Sequence, residues 1–147
     1  MRPRRPQVRV QTATKAPLGK DAAALAGLFV VSGSLHFIRP RVFESIVPQQ
    51  LPAHRTLVYA SGAAELACAA GLFVPRTRRV AGLASAALLV AVFPANVVMA
   101  TGAKRRLDRR PGDTRRRRYL AATLLRLPLQ GPMIRTALRA GGVIARR

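Results

Sequence analysis

Three long apolar runs, residues 22–38, 56–75 and 80–103, carry among their Asp, Glu, Lys and Arg positions a single charged residue, Glu65. About 20 consecutive apolar residues suffice for a helix to cross the hydrocarbon core of a bilayer. The arginines crowd between the runs, which is the pattern of membrane spans with basic flanks. Composition explains why such segregation is needed: half of the 147 residues are hydrophobic, yet the formal net charge is +21 with five acidic residues. That combination suits neither an ordinary soluble core nor a disordered tail.

The charge invites a nucleic-acid reading, because clustered Lys and Arg neutralise phosphates and release counterions. The densest block, KRRLDRRPGDTRRRR at 104–118, argues against it. It lies between apolar segments and holds no aromatic residue to stack on bases. It reads instead as a solvated basic linker attracted to anionic lipid headgroups, with no nucleic-acid partner. The single cysteine, Cys68, excludes an intrachain disulfide and a C-x-x-C redox pair. The two histidines, His36 and His54, sit on separate segments, so no built-in metal site is expected.

Residues 1–20 hold six basic residues and three prolines with little apolar periodicity, and a disordered basic tail is expected there. The apolar run that follows exceeds a signal-peptide core and leads into RPRVF rather than a small-residue cleavage site. It is read as the first of four spans, at about 22–38, 56–74, 80–102 and 119–144. Between the first two, VFESIV places Val42, Phe43, Ile46 and Val47 on one helical stripe, either a short helix on the membrane surface or a loop with anchoring apolar residues. Pro94 is expected to kink the third span near Val90. The fourth is interrupted by Arg126, Pro128, Pro132, Arg135 and Arg139. The fold class expected is therefore an all-α integral membrane four-helix bundle, the alternative being three spans plus an interfacial C-terminal helix.

Glu65 demands partners. Each strong apolar residue of its span contributes about −0.3 to −0.6 kcal/mol to insertion, and an acidic residue at the centre costs about +2.5 to +3.5 kcal/mol. The sum is near zero, so burial against other helices is expected. At about 1.5 Å per residue, antiparallel spans place His36 roughly 3 to 4 Å deep, Asn96 and Arg126 roughly 9 to 11 Å, and Glu65 roughly 14 Å. All four fall in the same half of the bilayer. His36, Glu65, Asn96, Arg126 and Gln130 are thus expected to form one buried polar cluster, with Arg126 as the charge partner of Glu65 because a guanidinium binds a carboxylate bidentately. Ser61 and Cys68 share the helix face of Glu65 and are candidate pocket-lining residues. Such a cluster either holds helices together or forms a pocket for a quinone headgroup, a proton or a small solute.

Several blocks, HFIRPRVFESIVPQQLP with His36, Pro40, Phe43 and Pro48, YASGAAEL with Ser61, Gly62 and Glu65, then GLFVPRTRRVAG, FPANVVMA and RLPLQ, occur in an order that resembles the DoxX-like family of small bacterial membrane proteins. The likeness runs from about residue 33 to 138. It implies a four-helix bundle in the bacterial cytoplasmic membrane, acting as an accessory or scaffold subunit of a membrane complex, a redox one in some relatives, without independent catalysis. A membrane oxidoreductase subunit or a second copy of the chain would be the partner. The chain departs from redox-active relatives in lacking their cysteine pair. Charge leaves the orientation open: the first and third linkers hold 12 basic residues against 13 for the tail, second linker and far end.

Overall fold

Gly19 and Lys20 mark where the chain turns helical in the computed structural model, which describes residues 17–145. The expected basic tail lies, up to residue 16, outside the described residues. Six helices follow: α1 (Lys20–Ile38), α2 (Pro40–Glu44), α3 (His54–Phe73), α4 (Arg78–Ala91), α5 (Phe93–Asp108) and α6 (Thr114–Ala140). No strand occurs among the described residues. Three helical stretches are long and apolar enough to cross a membrane, Lys20–Ile38, His54–Phe73 and the α4–α5 stretch Arg78–Asp108. The chain is therefore all-helical with membrane-spanning character. α6, at 27 residues, is long enough, but its arginines, Gln130 and two internal prolines leave it less apolar, and it is not among the three.

The break between α4 and α5 falls at Val92, two residues before Pro94 and within two of the position expected from sequence. Proline has no N–H to offer the preceding turn, and its ring crowds that turn's carbonyl. The 104–118 linker differs more from expectation. Only residues 109–113 lie between helices; the flanking arginines extend α5 and α6. Arginine is a good helix former, and Asp113 starts α6 as its N-cap, accepting from Arg116 N at 3.1 Å and from Arg116 Nε at 2.8 Å. These bonds, the backbone one first, hold the Asp113 carboxyl below its usual range. Because the folded value is depressed, the cap's contribution is present above the ordinary aspartate range and is lost as pH falls through the lowered one. The protection factors of amides in the first turn of α6, taken relative to their intrinsic exchange rates, are accordingly expected to fall on acidification, and Asp113→Asn should flatten that dependence.

Packing divides the molecule into a closed half and an open half. α1 runs antiparallel to α3, and α4 and α5 run antiparallel to α6, while α3 also packs on α4 and α1 touches α6. At the end holding the start of α1 and the end of α6, the core is built from Ala22, Ala26, Ala69, Ala81, Ala137 and Ala140, with Leu25, Phe29, Cys68, Leu72 and Leu89 between them. Small side chains let backbones approach, which is how helices associate without a hydrophobic drive. Leu28, Val31, Ile38, Leu83, Val90, Leu125 and Leu129 point outward, an apolar exterior that suits lipid.

At the other end the short helix expected around VFESIV is α2, which reaches only Glu44; it packs on α3 and α1, and the following prolines carry the chain to the start of α3. Ala53, just before α3, adopts the left-handed conformation at φ 52°. The segment thereby covers the side of α3 that α4, and α5 beyond its break, leave open.

Candidate functional site

Two glycines set the site. A Cβ on Gly33 would fall 2.9 Å from Gly62 O, and one on Gly62 would fall 2.6 Å from His36 Cβ. Only hydrogens fit there, so α1 and α3 touch backbone to backbone and bring His36 against Glu65. His36 Nδ1 lies 2.8 Å from Ser32 O and 3.8 Å from Glu65 Oε2, and its ring stacks on Phe43 with centroids 3.8 Å apart. The Nδ1 proton is thus directed at the Ser32 carbonyl, the nearer acceptor, and 3.8 Å is too long for a hydrogen bond to the carboxylate. Glu65 is 6% exposed, and its Oε2 has no hydrogen-bond partner among the described residues. Ser32, His36 and Arg126 are the side chains within its electrostatic reach.

Asn96 and Gln130 form a second, satisfied pair. Asn96 Nδ2 donates to Gln130 Oε1 at 3.3 Å, and Gln130 Nε2 donates to the carbonyl of Leu89. Leu89 lies just before the α4–α5 break, so this side chain ties α6 to both sides of the discontinuity. Membrane helices tolerate breaks where a neighbour takes up the backbone polar groups.

Four of the five cluster residues expected from sequence, His36, Glu65, Asn96 and Gln130, are buried together at the middle of the molecule. Arg126 is the correction. Its side chain is exposed, and no carboxylate lies within 4.0 Å of it among the described residues, so the expected Glu65–Arg126 ion pair is not made. The reason is positional: the glycine contact gives His36 the near side of Glu65, while Arg126 belongs to α6, held on α4 and α5. Depth is a second correction. Glu65 lies eleven residues into α3, roughly 16 Å from its start, and His36 meets it there rather than near the surface, because α1 stops short and α2 with its linker completes the climb. Cys68 is a third: it packs in the alanine-rich core with Ala69 and Leu72 and does not line the cavity.

A cavity of about 440 Å³ opens beside the cluster. Its polar lining is made by His36, Ser61, Glu65, Asn96 and Arg126. The remaining walls are apolar: Phe43, Ile46, Val47 and Leu51 from α2 and its linker, Leu57 and Val58 from α3, and Val92, Pro94 and Met99 beyond. The linker wall escaped the sequence reading. The stripe of Val42, Phe43, Ile46 and Val47 signalled an apolar face but not what it faces. On the other side of Glu65 a recess of about 20 Å³, bordered by Ser32, Gln130 and Arg126, has the size of one water molecule.

A pocket of this volume, apolar with a few convergent polar groups, has the make-up of a small-molecule site. No group of three His, Cys, Asp or Glu side chains that could hold a metal occurs among the described residues. What remains is a buried carboxylate, Glu65, and an exposed guanidinium, Arg126, both lining one largely apolar chamber. No curated protein and no solved structure matches the chain. A family model does match, over residues 25–141, a stretch that contains all of the helices beyond the first turn of α1 and every residue of the site. The chain belongs to the family described as a domain of unknown function (DUF8561).

Proposed function

We propose that this chain is a multi-pass membrane protein that binds a small amphipathic molecule in the cavity beside Glu65, with the polar end of the ligand at His36, Glu65 and Arg126. The observation that carries this reading is a chamber of about 440 Å³ whose largely apolar wall includes the buried polar side chains His36, Glu65 and Asn96, the make-up of a small-molecule site. A quinone or quinol headgroup and other small solutes fall within this class. No covalent chemistry is required, and the protein acts as a binder or carrier rather than an enzyme.

The same proposal includes a four-helix bundle in which α6 is the fourth span. Leu124, Leu125 and Leu129 are exposed on α6 at the level of the other apolar surfaces, and Gln130 is satisfied internally. Residence in a bacterial cytoplasmic membrane and kinship with DoxX-like proteins belong to this proposal too, on the sequence blocks quoted above. An accessory role beside a membrane oxidoreductase is the second reading, favoured by the uncovered apolar face of α1 at Leu28, Val31 and Ile38. A partner subunit copurifying in mild detergent would support it.

Ser61 is half-buried in the cavity wall, so Ser61→Trp should fill the chamber without touching the alanine-rich core. Native mass spectrometry of the protein released from nanodiscs is expected to show a bound small molecule on the wild type and its loss from Ser61→Trp. An identical mass distribution for the two proteins would rule the proposal out.

A further inference from the structure

We infer that the end of α5, the turn after it and the start of α6 form a docking surface for anionic phospholipid headgroups, seated in the headgroup layer of the bilayer that the chain crosses. The cavity plays no part in this surface, so the inference stands or falls apart from the ligand reading above.

Residues 104–118 hold nine basic and two acidic side chains. The fold uses both acids locally. Lys104 Nζ pairs with Asp108 Oδ2 at 2.9 Å and Arg116 Nε with Asp113 Oδ2 at 2.8 Å, while Arg116 Nη1 donates to Arg106 O across the turn. The other seven arginines of the stretch are exposed, and none has a carboxylate within 4.0 Å among the described residues. Arg39 and Arg41, at the same end of the molecule where α1 gives way to α2, are exposed and without a carboxylate too.

The helical geometry decides which polyanion these cations meet. A flexible loop over the whole of 104–118 would carry its charges out into water, open to any acidic partner. Here only residues 109–113 lie between the helices. α5 runs on from Ala103, where the apolar run ends, to Asp108, a rise of roughly 8 Å. The polar layer on each face of a bilayer is roughly 5 to 7 Å deep. The helical arginines are therefore held at the level of the lipid phosphates, directly beyond the exposed apolar side chains Val97 on α5 and Tyr119, Leu124 and Leu125 on α6.

Arginine suits this partner, because its guanidinium bonds a phosphate bidentately and stays charged. Clusters of about four to eight basic residues beside a membrane span attract anionic lipid in this way. A nucleic acid fits less well, since residues 104–118 offer no aromatic side chain on which bases could stack.

The test uses the full chain in nanodiscs made from equal amounts of phosphatidylcholine and phosphatidylglycerol, and native mass spectrometry of the lipids that stay bound on release. The wild type is expected to retain phosphatidylglycerol over phosphatidylcholine by about tenfold. Arg105→Gln, Arg109→Gln, Arg115→Gln and Arg118→Gln combined are expected to remove most of that preference, glutamine being close to arginine in helix propensity. Lysine at the same four positions keeps the charge and is expected to keep the preference. So is the combination Arg76→Gln, Arg79→Gln and Arg135→Gln, at exposed positions toward the opposite end. A preference that survives the four glutamines, or disappears with the four lysines, overturns the inference. Two results on the wild type alone do the same. One is equal retention of the two lipids. The other is single-stranded RNA binding to the mixed nanodiscs as tightly as to pure phosphatidylcholine ones, since arginines seated on lipid phosphate are not free to hold a second polyanion.

Discussion

Gly62→Leu is expected to part α1 from α3 and to abolish the single, well-behaved species in mild detergent. The Cβ would fall 2.6 Å from His36 Cβ and 3.0 Å from Gly33 O, and leucine adds three further carbons beyond it. Overpacking a filled contact costs about 1 to 3 kcal/mol where side chains can yield. Here one neighbour is a helix carbonyl, which can move only by shifting α1 as a whole, so the upper end or beyond is expected. Gly102→Leu is the control. A Cβ there meets nothing within 4 Å, so the substitution should keep or raise stability through helix propensity alone. Thermal melting in one detergent compares the two, and coincident curves would show that the α1–α3 contact is not what holds His36 against Glu65.

The second large effect has opposite signs for stability and binding. Glu65→Leu removes a buried carboxylate with an unpartnered oxygen. Burying an ionisable group without a hydrogen-bonded partner is costly, and an apolar residue of similar volume removes that cost. The empty protein should therefore melt higher than the wild type. Ligand retention should fall at least tenfold at the same time, the pattern expected where a site is maintained at the expense of stability. Should Glu65→Leu melt lower, the carboxylate is structural, holding α1 to α3 through His36, and the cavity loses its chemical end.

The spans were legible because lipid imposes a one-dimensional rule. A segment such as 80–103 has no acidic or basic residue in it, and no tertiary context is needed to see that. The polar cluster was legible for the same reason: Glu65 and Asn96 cost too much in lipid to face it. Partner choice was not. Whether Glu65 meets His36 or Arg126 depends on the Gly33–Gly62 contact between helices, and glycine marks that a close approach is possible without saying against what. The path of 40–53 was hidden similarly. Its prolines announce that the helix stops, but not that the chain then packs back on α3 and lines the cavity. The helical character of 104–118 was obscured by its charge, which suggested a solvated loop although arginine favours helix.

The glycine contacts also have a mechanical meaning. A second one, in which Gly82 meets Ala137 O and the backbone of Gly141, clasps α4 to α6 as Gly33 and Gly62 clasp α1 to α3. Backbone resting on backbone leaves no rotatable side chain to absorb a displacement, so each clasped pair behaves as a stiff plank. The chamber lies between the two clasped pairs, lined by α3 and the 40–53 segment on one side and by α4, α5 and Arg126 of α6 on the other.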